Sequence, residues 1–198
     1  MIKAYVAAAL AASVIAFGFS APAKATVIDF EAFGTGNLSN TEVIDGVEFS
    51  VINPTPTEVI RIVNTPFRTA YILACETSPG FNCAQDMNVG FSTDVFNVSF
   101  DILADEALGS SGTVTAYLDG SVVGSISLFG DGDGNTHNLI DLSSFGLIDQ
   151  LVLSSSLDPA GLGYDNFSFS VVPVPAAVWL FGSGLLGLIG VTRRKKQA

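Results

Sequence analysis

The run Phe96-Asn97-Val98-Ser99-Phe100-Asp101-Ile102 sets four apolar side chains apart by three polar ones. A strict two-residue period places one row of side chains on each face of a β-strand, so this segment reads as a strand with one buried face. Val114-Ala116-Leu118 and Phe167-Phe169-Val171 repeat the pattern. Shorter candidates are Val27–Glu31, Val47–Ile52, Val59–Val63, Ala70–Ala74, Val122–Leu128, His137–Leu142 and Asp149–Leu153. Turn signals separate them: Asp45-Gly46, Asn53-Pro54, Ser110-Ser111-Gly112, Asp119-Gly120 and the stretch 130–135. Asp119-Gly120 stands between two apolar-patterned runs and predicts a two-residue hairpin. Nothing within residues 26–171 sustains helical spacing, so the expected fold is all-β, a β-sandwich of jelly-roll type.

The two ends read differently. Residues 1–25 have the layout of a helical secretory signal peptide: Lys3, an apolar core from Ala4 to Phe19, and a small-x-small site at Ala23-Lys24-Ala25. Ala21-Pro22-Ala23 is a competing site. An uncleaved anchor is the alternative, disfavoured by the alanine-rich core and by Pro22. The implied partners are the Sec export machinery and signal peptidase.

At the other end, residues 172–198 hold Pro173 and Pro175, a 16-residue apolar run over 176–191, and the cations Arg193, Arg194, Lys195 and Lys196. As a helix the run spans about 24 Å at 1.5 Å per residue, the short end of a single transmembrane helix. The four cations read as a stop-transfer signal held in the cytoplasm, with the preceding chain outside.

This tail closely resembles the PEP-CTERM sorting signal of exported bacterial proteins in its VPxPAAxWLFGSGLLGLIG form. The matching residues are Val172, Pro173, Pro175, Ala176, Ala177, 179–190 and the closing Arg/Lys cluster. Val174 departs from the glutamate of the family's namesake motif. The resemblance implies cleavage near Val172-Pro173-Val174-Pro175 by an exosortase-like membrane protease. A membrane-anchored intermediate would then be released to the cell surface or an exopolysaccharide matrix. Chemically, the prolines lack amide donors and hold Val172 and Val174 extended, the form a protease grips. The alternative is a permanent single-pass anchor.

Charge narrows the classes of partner. All 19 acidic residues lie between the two end segments, against Arg61 and Arg68, so residues 26–170 carry a formal −17. Such a surface repels nucleic acid and anionic lipid and favours divalent cations. Cys75 and Cys83 are the only cysteines and bracket a Pro79-Gly80 turn. In an exported chain they read as a structural disulfide, contributing about 2–3 kcal/mol on the chain-entropy model.

No catalytic residue is assigned. His137 is the sole histidine and is expected to face solvent on a strand, and no Gly-x-Ser-x-Gly element occurs. Carboxylate pairs for glycoside hydrolysis lack a cluster on one strand. Metal is the better candidate. Asp165 shares parity with Phe167 and Phe169 and should point coreward, where a carboxylate needs a cation or several donors. Asp29 and Glu31 share a face of the first strand and are expected to reach the same end, an oxygen-only set suited to Ca²⁺. Without a cation, Asp165 is expected to accept backbone hydrogen bonds at a loop. Asp131-Gly132-Asp133-Gly134-Asn135 begins like a calcium loop but lacks its glycine and distal glutamate, and a hairpin turn is the expected form.

Val27–Glu31 and Gly163–Phe169 also resemble the first and last strands of galactose-binding-like, carbohydrate-module jelly rolls. That resemblance implies a sugar-binding or adhesive fold family, with polysaccharide as the partner. Tyr71, Phe81 and Tyr117 are the aromatics named for stacking on sugar. The combined expectation is a non-catalytic surface or matrix protein. A membrane-retained structural protein is the alternative, followed by a glycan hydrolase.

Overall fold

Alternating strands and tight turns build almost the whole of the described chain. The computed structural model describes residues 24–65, 68–78, 80, 82–103, 111–129, 136–155 and 161–172. Ala23, Phe81, residues 131–135, Pro173, Val174, Pro175, the apolar run 176–191 and Arg193, Arg194, Lys195 and Lys196 lie outside them.

Among the described residues twelve strands follow in order: β1 (Ala25–Ile28), β2 (Gly36–Asn37), β3 (Thr41–Ile44), β4 (Val47–Val51), β5 (Glu58–Thr65) and β6 (Arg68–Glu76). Then come β7 (Met87–Leu103), β8 (Ser111–Leu118), β9 (Ser121–Phe129), β10 (Asn138–Asp141), β11 (Ile148–Ser155) and β12 (Gly163–Val171). Every pairing is antiparallel. The one helical piece among the described residues is a 3-10 turn at Ser143–Phe145. The all-β expectation holds.

Two of the predicted turns are tight hairpins. Asp45-Gly46 joins β3 to β4 with φ of 49° and 83°, and Asp119-Gly120 joins β8 to β9 with φ of 50° and 73°. Two successive positive-φ residues match the twist of the flanking strands, which is why Asp-Gly suits both. The register follows, with Ile44 opposite Val47 and Leu118 opposite Ser121.

β7 organises the sheet because it serves two halves. Its Met87–Phe91 segment pairs with β4 on one side and, over Met87–Gly90, with β11 on the other; β8 and β9 follow β11. Its 95–103 segment pairs with β12 on one side and, over Ser99–Ile102, with β10 on the other. β12 in turn pairs with β1 and β6, and β5 and β2 continue from β6. Ser92, Thr93 and Asp94, exposed between the two segments, form the crossing.

The alternation that reveals these strands is broken at two asparagines. Asn97 and Asn166 adopt φ of 52° and 51°, the left-handed region that asparagine tolerates better than most residues. Each is an extra residue in its strand: the β7–β12 register shifts between Asp165 and Ser168 and again between Ser168 and Ser170. One inserted residue exchanges the faces of everything beyond it. Val95 therefore joins Val98, Phe100 and Ile102 in the core, while Phe96 lies half-buried outside the core cluster. This corrects the reading of Phe96 as a core position. On β12, Tyr164 takes the core face with Phe167 and Phe169.

The core is centred on aromatic rings. Phe167 stacks on Phe100 at 5.2 Å and meets Phe49 and Phe30 edge-on at 5.4 and 6.2 Å. Phe49 belongs to β4, so this contact joins the inner faces of the two halves. Phe30 reaches the cluster because its own φ of 55° turns the chain after β1. That turn also ends the first strand at Ile28, three residues short of the expected Glu31.

Cys75 and Cys83 form the expected disulfide. Glu76 and Asn82 exchange two backbone hydrogen bonds just inside it, closing the loop as a small antiparallel ladder.

Phe100→Ala should lower stability by about 3–5 kcal/mol, the usual cost of deleting a buried ring, and Phe96→Ala by less than half of that. Urea midpoints at unchanged m-value separate the two; equal losses would show that Phe96 is a core residue.

Candidate functional site

Two outward faces concentrate polar side chains, one on each half of the sheet. The first lies over β6, β12, β7 and the start of β10. Asp165 pairs in register with Asp101, on the face turned away from Phe100 and Tyr164. The expected parity of Asp165 with Phe167 fails because Asn166 is inserted between them. Asp165 is nonetheless only 1 % exposed, the one buried charged residue among those described. Its Oδ1 accepts the Asn166 amide at 2.7 Å, the backbone partner expected in the absence of a cation.

Around Asp165 runs a hydrogen-bonded chain. Asn166 Nδ2 donates to Asp101 Oδ2 at 2.9 Å, and the same oxygen lies 3.3 Å from His137 Nδ1. His137 Nε2 is 2.9 Å from Thr69 Oγ1 on β6. His137 is thus half-buried between two partners, not the solvent-facing strand histidine that the sequence predicts. Glu31 accepts the Ala70 amide at 2.9 Å, satisfying a donor of β6 near the β12 bulge. Burial pushes the Asp165 carboxyl up to about 6; the Asn166 amide and His137 oppose the rise, and Glu31 and Asp101 add to it.

The calcium set Asp29, Glu31 and Asp165 is not assembled. Among the described residues no three His, Cys, Asp or Glu side chains are gathered closely enough to hold an ion. The cause is the turn at Phe30: past Ile28 the strand alternation that would align Asp29 with Glu31 no longer applies. Asp29 instead accepts the Glu31 amide at 3.3 Å, and both residues are exposed.

Tyr71 borders this face, on the outward side of β6 with Leu73, Cys75 and Cys83. Its ring lies over Gly163, where an added Cβ would come within 2.5 Å of it. Tyr71 is therefore packed on the protein's own backbone.

The second face belongs to the other half and forms an open groove of about 450 Å³. Its lining is Ser50 to Ile52, Asn88, Tyr117, Gly120, Gln150 and Val152, from β4, β7, β11, β8 and the adjoining turns. The alternation that buries Val114 and Ala116 turns Tyr117 outward. Gln150 is directly opposite Tyr117 in the β11–β8 register. From there a polar ladder crosses the sheet. Gln150 Nε2 donates to Asn88 Oδ1 at 2.5 Å, Asn88 Nδ2 donates to Ser50 Oγ at 3.3 Å, and Ser50 Oγ donates to Glu48 Oε1 at 3.3 Å. At the Tyr117 end, Asp149 Oδ2 accepts the Asp119 amide at 2.8 Å and fixes the turn that carries Gly120.

This combination is a ring beside amides and a hydroxyl whose donors and acceptors are only partly used. Such a surface binds polyhydroxylated ligands by stacking and hydrogen bonding. Tyr117 was legible as a candidate. Ser50, Asn88 and Gln150 come from three separate strands, and no local pattern links them.

No protein-family model matches the chain, and no curated protein is similar to it in sequence. Among solved structures it is similar to CBM29_1, a family 29 carbohydrate-binding module from Piromyces equi, at 10 % identity over 76 % of this chain and 92 % of that one, TM-score 0.44. It is also similar to an isomalto-dextranase of Arthrobacter globiformis T6 complexed with panose (14 % identity, 76 % of this chain, 33 % of that one, TM-score 0.36). A third is the GH31 CBM32-2 bound to GalNAc (13 % identity, 77 % and 95 %, TM-score 0.29). At these TM-scores the likeness carries no argument about this chain's ligand.

Asp165→Asn should raise stability at pH 7.5 and leave it nearly unchanged at pH 3. The folded state holds this carboxyl's proton more tightly than the unfolded chain does. Its contribution is therefore full below the ordinary carboxylate range and is lost as pH rises through about 6. Thermal melts across this range check it; a variant less stable than the parent at pH 7.5 would contradict the assignment.

Proposed function

We propose that this chain is an exported, non-catalytic surface or matrix protein that holds polysaccharide in the groove between Tyr117 and Ser50. The domain is read as a jelly-roll β-sandwich whose outward face carries that groove. The observation that carries the reading is the Gln150–Asn88–Ser50 ladder beside the outward Tyr117 ring. A stacking surface and a row of amides together suit sugar rings, whose faces are apolar and whose edges are hydroxyls.

Export and sorting belong to the same proposal and are supported by the order of segments in the sequence. A signal peptide precedes the domain, and Val172-Pro173-Val174-Pro175, an apolar run and a basic cluster follow it. In this reading signal peptidase acts at Ala23 or Ala25. An exosortase-like protease then cuts near the prolines and releases the domain to the surface or matrix. Permanent retention in the membrane is the competing outcome.

One observation favours a hydrolase as second reading: Thr69, His137 and Asp101 form a hydroxyl–imidazole–carboxylate chain. Against it, the Ala70 amide next to Thr69 is already bonded to Glu31 and is not free to stabilise an oxyanion.

A glycan array probed with the purified protein should show binding that Tyr117→Ala abolishes and that persists in EDTA. Intact mass of the exported protein should show the tail after the proline motif removed. Absence of binding to any glycan would refute the groove reading, and an intact C-terminal peptide would refute the sorting reading.

A further inference from the structure

We infer that the groove selects neutral glycan chains over acidic ones and holds them across the strands, with Tyr117 and Gln150 at one end and Ser50 at the other. The inference rests on the groove being a glycan site and names the class of glycan it takes.

Charge decides the class. No aspartate, glutamate, lysine, arginine or histidine is among the groove's lining residues. Carboxylates stand around them. Glu48 ends the hydrogen-bonded ladder at one side, and Asp149 holds the Asp119-Gly120 turn at the other. Of the two arginines within residues 26–170, Arg61 is on β5 in the other half and donates to Asn37 at 2.5 Å, and Arg68 is on β6 beside it. A uronate, sulfate or phosphate entering the groove would meet rim carboxylates within a domain of formal charge −17 and no lining cation. A neutral chain meets amides, a hydroxyl, a ring and the apolar Ile52 and Val152.

Register decides the direction. Ser50 is the cross-strand partner of Asn88 on β7, Asn88 is opposite Val152 on β11, and Gln150 of the same strand is opposite Tyr117 on β8. Four adjacent strands span about 14 Å, the length of a short oligosaccharide. Beside this row, between Glu48 and Gln150, Gly90 supplies no side chain. The nearest atoms to a Cβ there would be Asn88 Nδ2 at 3.7 Å and Glu48 Cβ at 3.8 Å. The floor therefore dips at Gly90, on the Glu48 side of Asn88, while the path from Tyr117 to Ser50 runs over Val152 and Asn88. Asn88 and Gln150 flank the dip and present amide groups to hydroxyls along the chain.

The test uses the full exported protein and calorimetric titration with neutral gluco-oligosaccharides of increasing length, alongside uronic-acid oligosaccharides of matched length. Neutral chains should bind more tightly as they lengthen, and Tyr117→Ala and Gln150→Ala should each weaken binding by about tenfold or more. Val152→Lys, which adds a cation to the lining and leaves both amides in place, should raise affinity for the uronic-acid series at low salt. Urea midpoints near the parent's show that these surface variants remain folded. Equal or tighter binding of the uronic-acid series by the unmodified protein, lost in Tyr117→Ala, would overturn neutral selectivity and leave the groove a glycan site. Neutral binding that ignores both Tyr117→Ala and Gln150→Ala would overturn the placement. Binding of neither series would refute the underlying glycan reading itself.

Discussion

The structure depends on the Phe167 ring being on the inner side of β12, in contact with Phe100 on the neighbouring strand and Phe49 from the other half. A sheet face of this size is stable only when its apolar side is removed from water. The ring takes that place because Asn166, in the left-handed region, adds one residue to the strand. The same insertion turns Asp165 outward beside Asp101. A single backbone irregularity thus completes the core and builds the polar cluster on the opposite face. Asn166 also donates its side-chain amide to Asp101, so the residue that bends the strand takes part in the cluster it creates.

Much of the architecture is written in the local pattern. Val114 and Ala116 alternate with threonines, Asp119-Gly120 has the turn residues its geometry requires, and the resulting hairpin is where the alternation puts it. β3 was not legible, since Thr41-Glu42-Val43-Ile44 has one buried residue, and its place comes from pairing with β4. The first half of β7 keeps the strand period at Met87, Val89 and Phe91, but Thr93 breaks the row before Val95, so the segment does not read as one strand with the run that follows. Asn97 and Asn166 fit a polar alternation equally well as ordinary strand residues or as bulges. Only the register against the partner strand separates the two, and that is a non-local property.

The same division applies to the functional surfaces. An outward aromatic at Tyr117 follows from the period of β8, and the buried state of Asp165 was expected, although through a parity the bulge removes. The ladder of Ser50, Asn88 and Gln150 arises from three strands brought side by side, with Asn88 and Gln150 separated by 62 positions in sequence. Likewise the contact of His137 with Thr69 spans 68 residues, which is why the only histidine in the chain read as an isolated surface residue. Charge was readable throughout: an acidic domain with an uncharged groove differs from its surroundings by what the groove lacks.

The most direct test of this arrangement is a double-mutant cycle between Phe49 and Phe167. Stabilities of the parent, Phe49→Leu, Phe167→Leu and the double variant, from urea unfolding, isolate the ring–ring term. A coupling of about 0.5–1.5 kcal/mol is expected for rings 5.4 Å apart in edge-to-face contact. Strictly additive losses would mean that the two halves do not meet through Phe167, and the placement of Asn166 as a face-switching insertion would fall with it.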